Sequence, residues 1–117
     1  MAHSPLFVKT YDLLNWLIPH TLKFPREQRA VLARRLQDAA FGLHYELVSA
    51  ARSDSLHALV QADIQLTLLR TYLRLAKEWR LLSIRQYEHA SHRVDEIGRL
   101  LGAWRKRCEN GANPLQP

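Results

Sequence analysis

The sequence predicts an all-α protein, an antiparallel up-and-down four-helix bundle. Three observations carry this. Apolar residues recur at spacings of three and four along most of the chain, no segment sustains the period-two alternation of a half-buried strand, and no Asn-Gly or Asp-Gly pair separates two strand-like runs. Pro5 suits the first turn of helix 1, which runs to the neighbourhood of His20 with Leu6, Leu13, Leu14, Leu17 and Ile18 as its apolar side. Pro19 is expected to end or kink it. Pro25 then opens helix 2, whose Val31, Leu32, Leu36, Ala39, Ala40, Leu43, Leu47 and Val48 trace one face to roughly Ala51. After the Arg52 to Ser55 punctuation, Asp54 or Ser55 caps helix 3, which continues through Leu59, Ala62, Leu66, Leu69, Leu73 and Ala76 to near Trp79. Ser83 with Gln86 forms a capping box, so helix 4 starts at about Ile84 and reaches about Arg107 or Cys108. Residues 1–108 are thus read as the bundle and 109–117 as a disordered tail. Helices 2 to 4 would be rods of roughly 36 to 39 Å, joined by short connections.

A chain of 117 residues fits one domain with a substantial core. No run approaches a membrane span, and the apolar start is broken by Lys9, Asp12 and Asn15, so neither a signal peptide nor a membrane partner is read. The lone Cys108 can form no internal disulfide, which suits a reducing cytoplasm.

Charge is the informative total. Seventeen Lys and Arg against 11 Asp and Glu leave +6, and ten cations against four anions lie between Ile64 and Arg107. An excess gathered in one half of the chain points to a polyanionic partner, nucleic acid first. Thirteen of the cations are Arg, whose forked donors suit phosphate.

Catalytic chemistry finds little support. The Glu-x-x-His pairs of di-metal bundles are missing, and no Gly-rich phosphate loop or Gly-x-Ser-x-Gly elbow occurs. Glu88, His89 and His92 come nearest to a metal cluster, but they lie opposite Val94, Ile97 and Leu101 and read better as a solvated face. His44 and His57 stand alone, and Cys108 has no base nearby in sequence. No catalytic residue, metal or cofactor is therefore expected.

Two surface stripes do rise above background. Arg70, Arg74 and Lys77 on helix 3 project in one direction at spacings of four and three, with Asp63 the one acid on their line, and a phosphate backbone could run along them. On helix 4, Gly98 and Gly102 form a Gly-x-x-x-Gly pair with Trp104 just beyond. Each Gly there costs about 1 kcal/mol against Ala, so close approach of another backbone is expected, within the bundle or from a second subunit. Arg99, Arg105, Lys106 and Arg107 surround that pair.

The segments Leu69-Arg70-Thr71-Tyr72-Leu73-Arg74-Leu75-Ala76 and Asp95-Glu96-Ile97-Gly98-Arg99-Leu100-Leu101-Gly102-Ala103-Trp104 together resemble the accessory variability determinant proteins of diversity-generating retroelements. Tyr11 to Leu14, Trp16 to Pro19, Lys23 to Arg26 and Leu82-Ser83 extend the likeness over Pro5 to Lys106. The wider group includes four-helix proteins encoded in intervening sequences of 23S ribosomal RNA genes. The resemblance implies a non-enzymatic bundle that assembles as a homopentamer, binds reverse transcriptase and RNA or DNA, and assists mutagenic cDNA synthesis. It carries over to Arg70, Arg74 and Arg99, and to Arg105 and Lys106. Two alternatives stand beside it: a helical protein adaptor, and an intervening-sequence protein of unknown role.

Overall fold

The computed structural model describes residues 4–53 and 55–111. Ser4 opens α1 (Pro5–Thr21), its hydroxyl accepting from the Phe7 N–H, with Pro5 in the first turn, where its missing N–H loses no bond. The buried side of α1 is Leu6, Thr10, Leu13, Leu17 and Thr21. Leu14 and Ile18, expected on that side, are only half-buried, because the stripe runs through the two threonines instead. Those hydroxyls cost little inside, since Thr10 donates to the Leu6 carbonyl at 2.8 Å and Thr21 to the Ile18 carbonyl at 2.7 Å. Pro19 does not end the helix. Beyond it the last turn is held by Thr21, by Leu22 N–H on the Ile18 carbonyl, and by His20 Nδ1 donating to the Trp16 carbonyl at 2.6 Å.

Helix α2 follows Pro25 as Arg26–Gln28, a π-helical turn at Arg29–Ala33, and Arg34–Arg52. In the π turn the Arg34 N–H reaches the Arg29 carbonyl, five residues back instead of four. The wider turn shifts the wheel upstream of Arg34. Val31, expected in the core, is 54 % exposed, while Leu32, Leu36, Ala39, Ala40, Leu43 and Leu47 are buried and Val48 is half-buried.

Helix α3 (Leu56–Glu78) is capped by Ser55, whose hydroxyl accepts from the Ala58 N–H at 3.2 Å. Asp54, the other expected cap, lies outside the described residues. The helix closes with Arg80 N–H on the Lys77 carbonyl and Leu81 N–H on the Ala76 carbonyl, the paired bonds of a Schellman cap. Arg80 stands at the left-handed position of that cap, with φ 60°. Helix α4 (Ile84–Glu109) begins with the expected capping box: Gln86 N–H donates to Ser83 Oγ at 3.1 Å, and Ser83 N–H to Gln86 Oε1 at 2.9 Å. Ser83→Ala is expected to lower the unfolding free energy by about 1 kcal/mol in urea titrations. Glu109 is still helical and Asn110 and Gly111 form a turn, so the helix outruns the expected boundary; residues 112–117 lie outside the described ones.

Contacts across the helices show their order and direction. Asp63, Arg70 and Lys77 on α3 meet Arg105, Asp95 and Tyr87 on α4, a descending series that fixes an antiparallel pair. Lys9–Glu96 and Trp16–His89 do the same for α1 and α4. The result is an up-and-down four-helix bundle with no strand among the described residues, 46 Å long and about half as wide. One end carries the α1–α2 and α3–α4 connections and the other the α2–α3 connection. Buried Leu, Ala, Val94, Ile97 and Trp104 fill the interior. No helix among the described residues is long and apolar enough to cross a membrane.

Candidate nucleic-acid interface

The expected stripe on α3 divides into two kinds of cation. Arg70 reaches across the seam to Asp95 on α4 (Nη2–Oδ1, 3.4 Å), and Lys77 stands 4.7 Å from the centre of the Tyr87 ring while pairing with Glu78 at 3.5 Å. Arg105 from α4 returns the contact, pairing with Asp63 at 3.2 Å and Glu109 at 3.7 Å. These three are engaged within the bundle. Arg74, Arg99 and Lys106 are exposed, and among the described residues no ion pair joins them. The helical wheel placed Arg70, Arg74 and Lys77 in one direction. It could not show that Arg70 and Lys77 lean over the α4 seam while Arg74 faces water.

Among the described residues no backbone approaches the Gly pair closely. A Cβ on Gly98 would stand 2.8 Å from Arg70 Nη2 and 3.3 Å from Leu66 Cδ2, so Gly98 makes room for side chains of α3. At Gly102 nothing lies within 4 Å. Gly102→Ala is therefore expected to raise stability by about 0.5–1 kcal/mol through helix propensity alone, read from thermal unfolding, with light scattering recording any change of assembly. Trp104, expected beside the Gly pair, is instead fully buried, because Val94, Ile97, Leu101 and Trp104 continue one inward face. Its ring centre lies 6.5 Å from that of Phe7 on α1.

Glu88, His89 and His92 do not converge as ligands, and no group of three potential metal ligands forms among the described residues. His89 has other partners. Its Nε2 accepts from Arg93 Nε at 2.9 Å, and its ring lies 4.8 Å from that of Trp16, whose indole stacks on His20 at 4.0 Å. Partial burial, followed by the charges of Arg93, His20 and His92, holds the His89 pKa below its ordinary value of 6.5. The sign follows: the unfolded chain takes up this proton at higher pH than the folded one. The stability contributed by neutral His89 is full above about pH 6.5 and is lost as pH falls toward the lower folded value. Thermal unfolding from about pH 7.5 to 5.5 should show a falling midpoint, and His89→Gln should flatten it.

Two clefts escaped the sequence reading. One, about 600 Å³, lies between α1 and α2 and is lined by Phe7, Val8, Tyr11, His44, Val48, Ala51 and Arg52. His44 Nδ1 is enclosed there without a hydrogen-bond partner. The other, about 770 Å³, opens at the α3–α4 connection and includes Lys77, Arg80, Ile84 and Tyr87. Both clefts bring together residues from two helices that a wheel drawn on one helix treats separately, so neither was visible from periodicity.

The fold is thus that of a small all-helical four-helix bundle, with Arg and Lys side chains exposed outside the ion-paired α3–α4 seam. A family model described as bAvd-like matches residues 6–108, and the chain belongs to this family, the accessory variability determinant group whose motifs it carries. No curated protein matches the chain.

Proposed function

We propose that this chain is a non-enzymatic accessory subunit of a diversity-generating retroelement. In this reading it binds the element's reverse transcriptase and its RNA or DNA in the cytoplasm, as a homopentamer, and supports mutagenic cDNA synthesis. Membership of the bAvd-like family supports the accessory role. The observation that carries the nucleic-acid part is the exposure of Arg74, Arg99 and Lys106 on the adjacent helices α3 and α4, with no ion pair to them among the described residues. Cations free of carboxylates are available to phosphate, and the contact would be electrostatic and sequence-tolerant.

The test is anisotropy of a labelled structured RNA over a salt series. Wild type is expected to bind with affinity that falls steeply with salt. Arg74→Ala, Arg99→Ala, Lys106→Ala together should weaken binding by roughly tenfold or more and shallow the slope of log affinity against log salt by about 2 to 3. An unchanged slope in a folded triple variant would remove these residues from the interface. A helical protein adaptor would then move ahead, supported by the apolar α1–α2 cleft, where Val8 is 44 % and Tyr11 66 % exposed.

A further inference from the structure

Folding gathers the charge differently from the linear count. Residues 20–35 and 77–93 hold nine Lys and Arg against three Asp and Glu, and the rest of the chain holds eight of each. The two segments, which flank the α1–α2 and α3–α4 connections at one end of the bundle, thus carry a charge equal to the whole +6. Elsewhere three cations are paired, in Lys9–Glu96, Arg70–Asp95 and Arg105–Asp63; in these two segments the one ion pair among the described residues is Lys77–Glu78. Large apolar side chains are exposed at the same end: Trp79 is 50 % exposed and Ile84 68 %. Beside them lies the cleft of about 770 Å³, within the range of about 300–1,000 Å³ typical of ligand clefts.

Arg80 supplies an independent sign. A side chain in the left-handed region costs about 1–2 kcal/mol, and a helix closed by a Schellman cap ordinarily places Gly there. The chain instead carries a guanidinium at the rim of the cleft, next in sequence to the exposed Trp79 and five residues before Arg85 across the α3–α4 connection. Backbone strain held at an exposed charged residue points to use of that residue.

We propose that this end of the bundle binds single-stranded nucleic acid, Arg80 and Arg85 contacting phosphates and Trp79 stacking a base. The proposal rests on the nucleic-acid reading above and assigns it a surface and a strand state. Stacking on an exposed indole requires an open base face, which a duplex withholds, and it tolerates any sequence because every base has one. Within the cleft lining Lys77 and Arg80 are matched by Glu78 and Glu88, so the excess of cations that concentrates polyanion and quickens encounter is that of the whole end.

Tryptophan emission reads the contact directly. Trp104 is buried and Trp16 is covered by His20 and His89, which leaves Trp79 as the indole open to a base. Adding an oligothymidylate to the full chain is expected to quench emission, and Trp79→Phe to remove most of that quenching while keeping part of the affinity. Trp79→Ala should weaken single-strand binding on the order of tenfold and leave a hairpin duplex of equal length nearly unaffected. Arg80→Gly is the decisive variant: it should raise the melting temperature while weakening single-strand binding. Equal losses for single strand and duplex, quenching that survives Trp79→Phe, or undiminished binding by Arg80→Gly would each overturn the proposal. If Arg74, Arg99 and Lys106 carry all the binding, this end is not the site although the nucleic-acid reading stands. If neither nucleic acid binds, both fall.

Discussion

Trp104→Ala is expected to lower the unfolding free energy by about 3–5 kcal/mol, the largest effect of any single truncation in this bundle. The indole is fully buried, sits near the free end of α4, and faces Phe7 on α1, the shortest of the long helices. Losing it removes a large apolar volume where α1 has few other anchors, and the surrounding helices can close the void only in part. The melting temperature should drop by roughly 10–20 °C. Urea titration at constant slope would place the change in stability, whereas a drop of less than about 1 kcal/mol would mean that Trp104 is not the core residue described.

Leu66→Ala is the second large change, about 2–5 kcal/mol, and it comes with a built-in check. Leu66 is fully buried, and its Cδ2 lies 3.3 Å from where a Cβ on residue 98 would stand. In the wild-type chain Gly98→Ala must push aside the Arg70 guanidinium, the end of a flexible side chain that is half in solvent and paired with Asp95. In the Leu66→Ala chain the new methyl has vacated space to enter. A double-mutant cycle should therefore show Gly98→Ala more favourable in the truncated background by about 0.5 kcal/mol or more. Strict additivity would mean that the two residues do not share a packing site.

Most of the fold was legible because the information is local. Leu59, Ala62, Leu66, Leu69, Leu73 and Ala76 of α3 repeat at helical spacing and are all buried, and the Ser55 cap and the Ser83–Gln86 box were readable from residues three apart. Local signals failed where geometry departs from the ideal helix. The π turn put Val31 outside, and at Pro19, expected to end or kink a helix reaching the neighbourhood of His20, hydrogen bonds from residues 20 to 22 carry α1 to Thr21. The functional surface was harder, because its neutralising partners are distant in sequence. Arg70 and Asp95 are 25 residues apart, and Arg105 and Asp63 are 42 apart, so no wheel drawn on one helix could reveal which cations were already satisfied. Trp104 was the avoidable miss, since its spacing from Ile97 and Leu101 pointed inward from the start.

The π turn in α2 acts like an extra tooth cut into a screw thread. From Arg34 onward the thread engages the core in ordinary phase, with Leu36, Ala39, Ala40, Leu43 and Leu47 all inside. Upstream of it, the one surplus residue sets the phase at which Arg26 emerges. Removing Ala30 or Val31, both exposed and upstream of the buried Leu32 and Ala33, would restore α pitch and turn the Arg26–Gln28 tip by about 100° about the helix axis, with the buried positions from Leu32 onward kept. The heading of that charged tip is thus governed by chain length at one point, independently of the leucines that hold the helix in place.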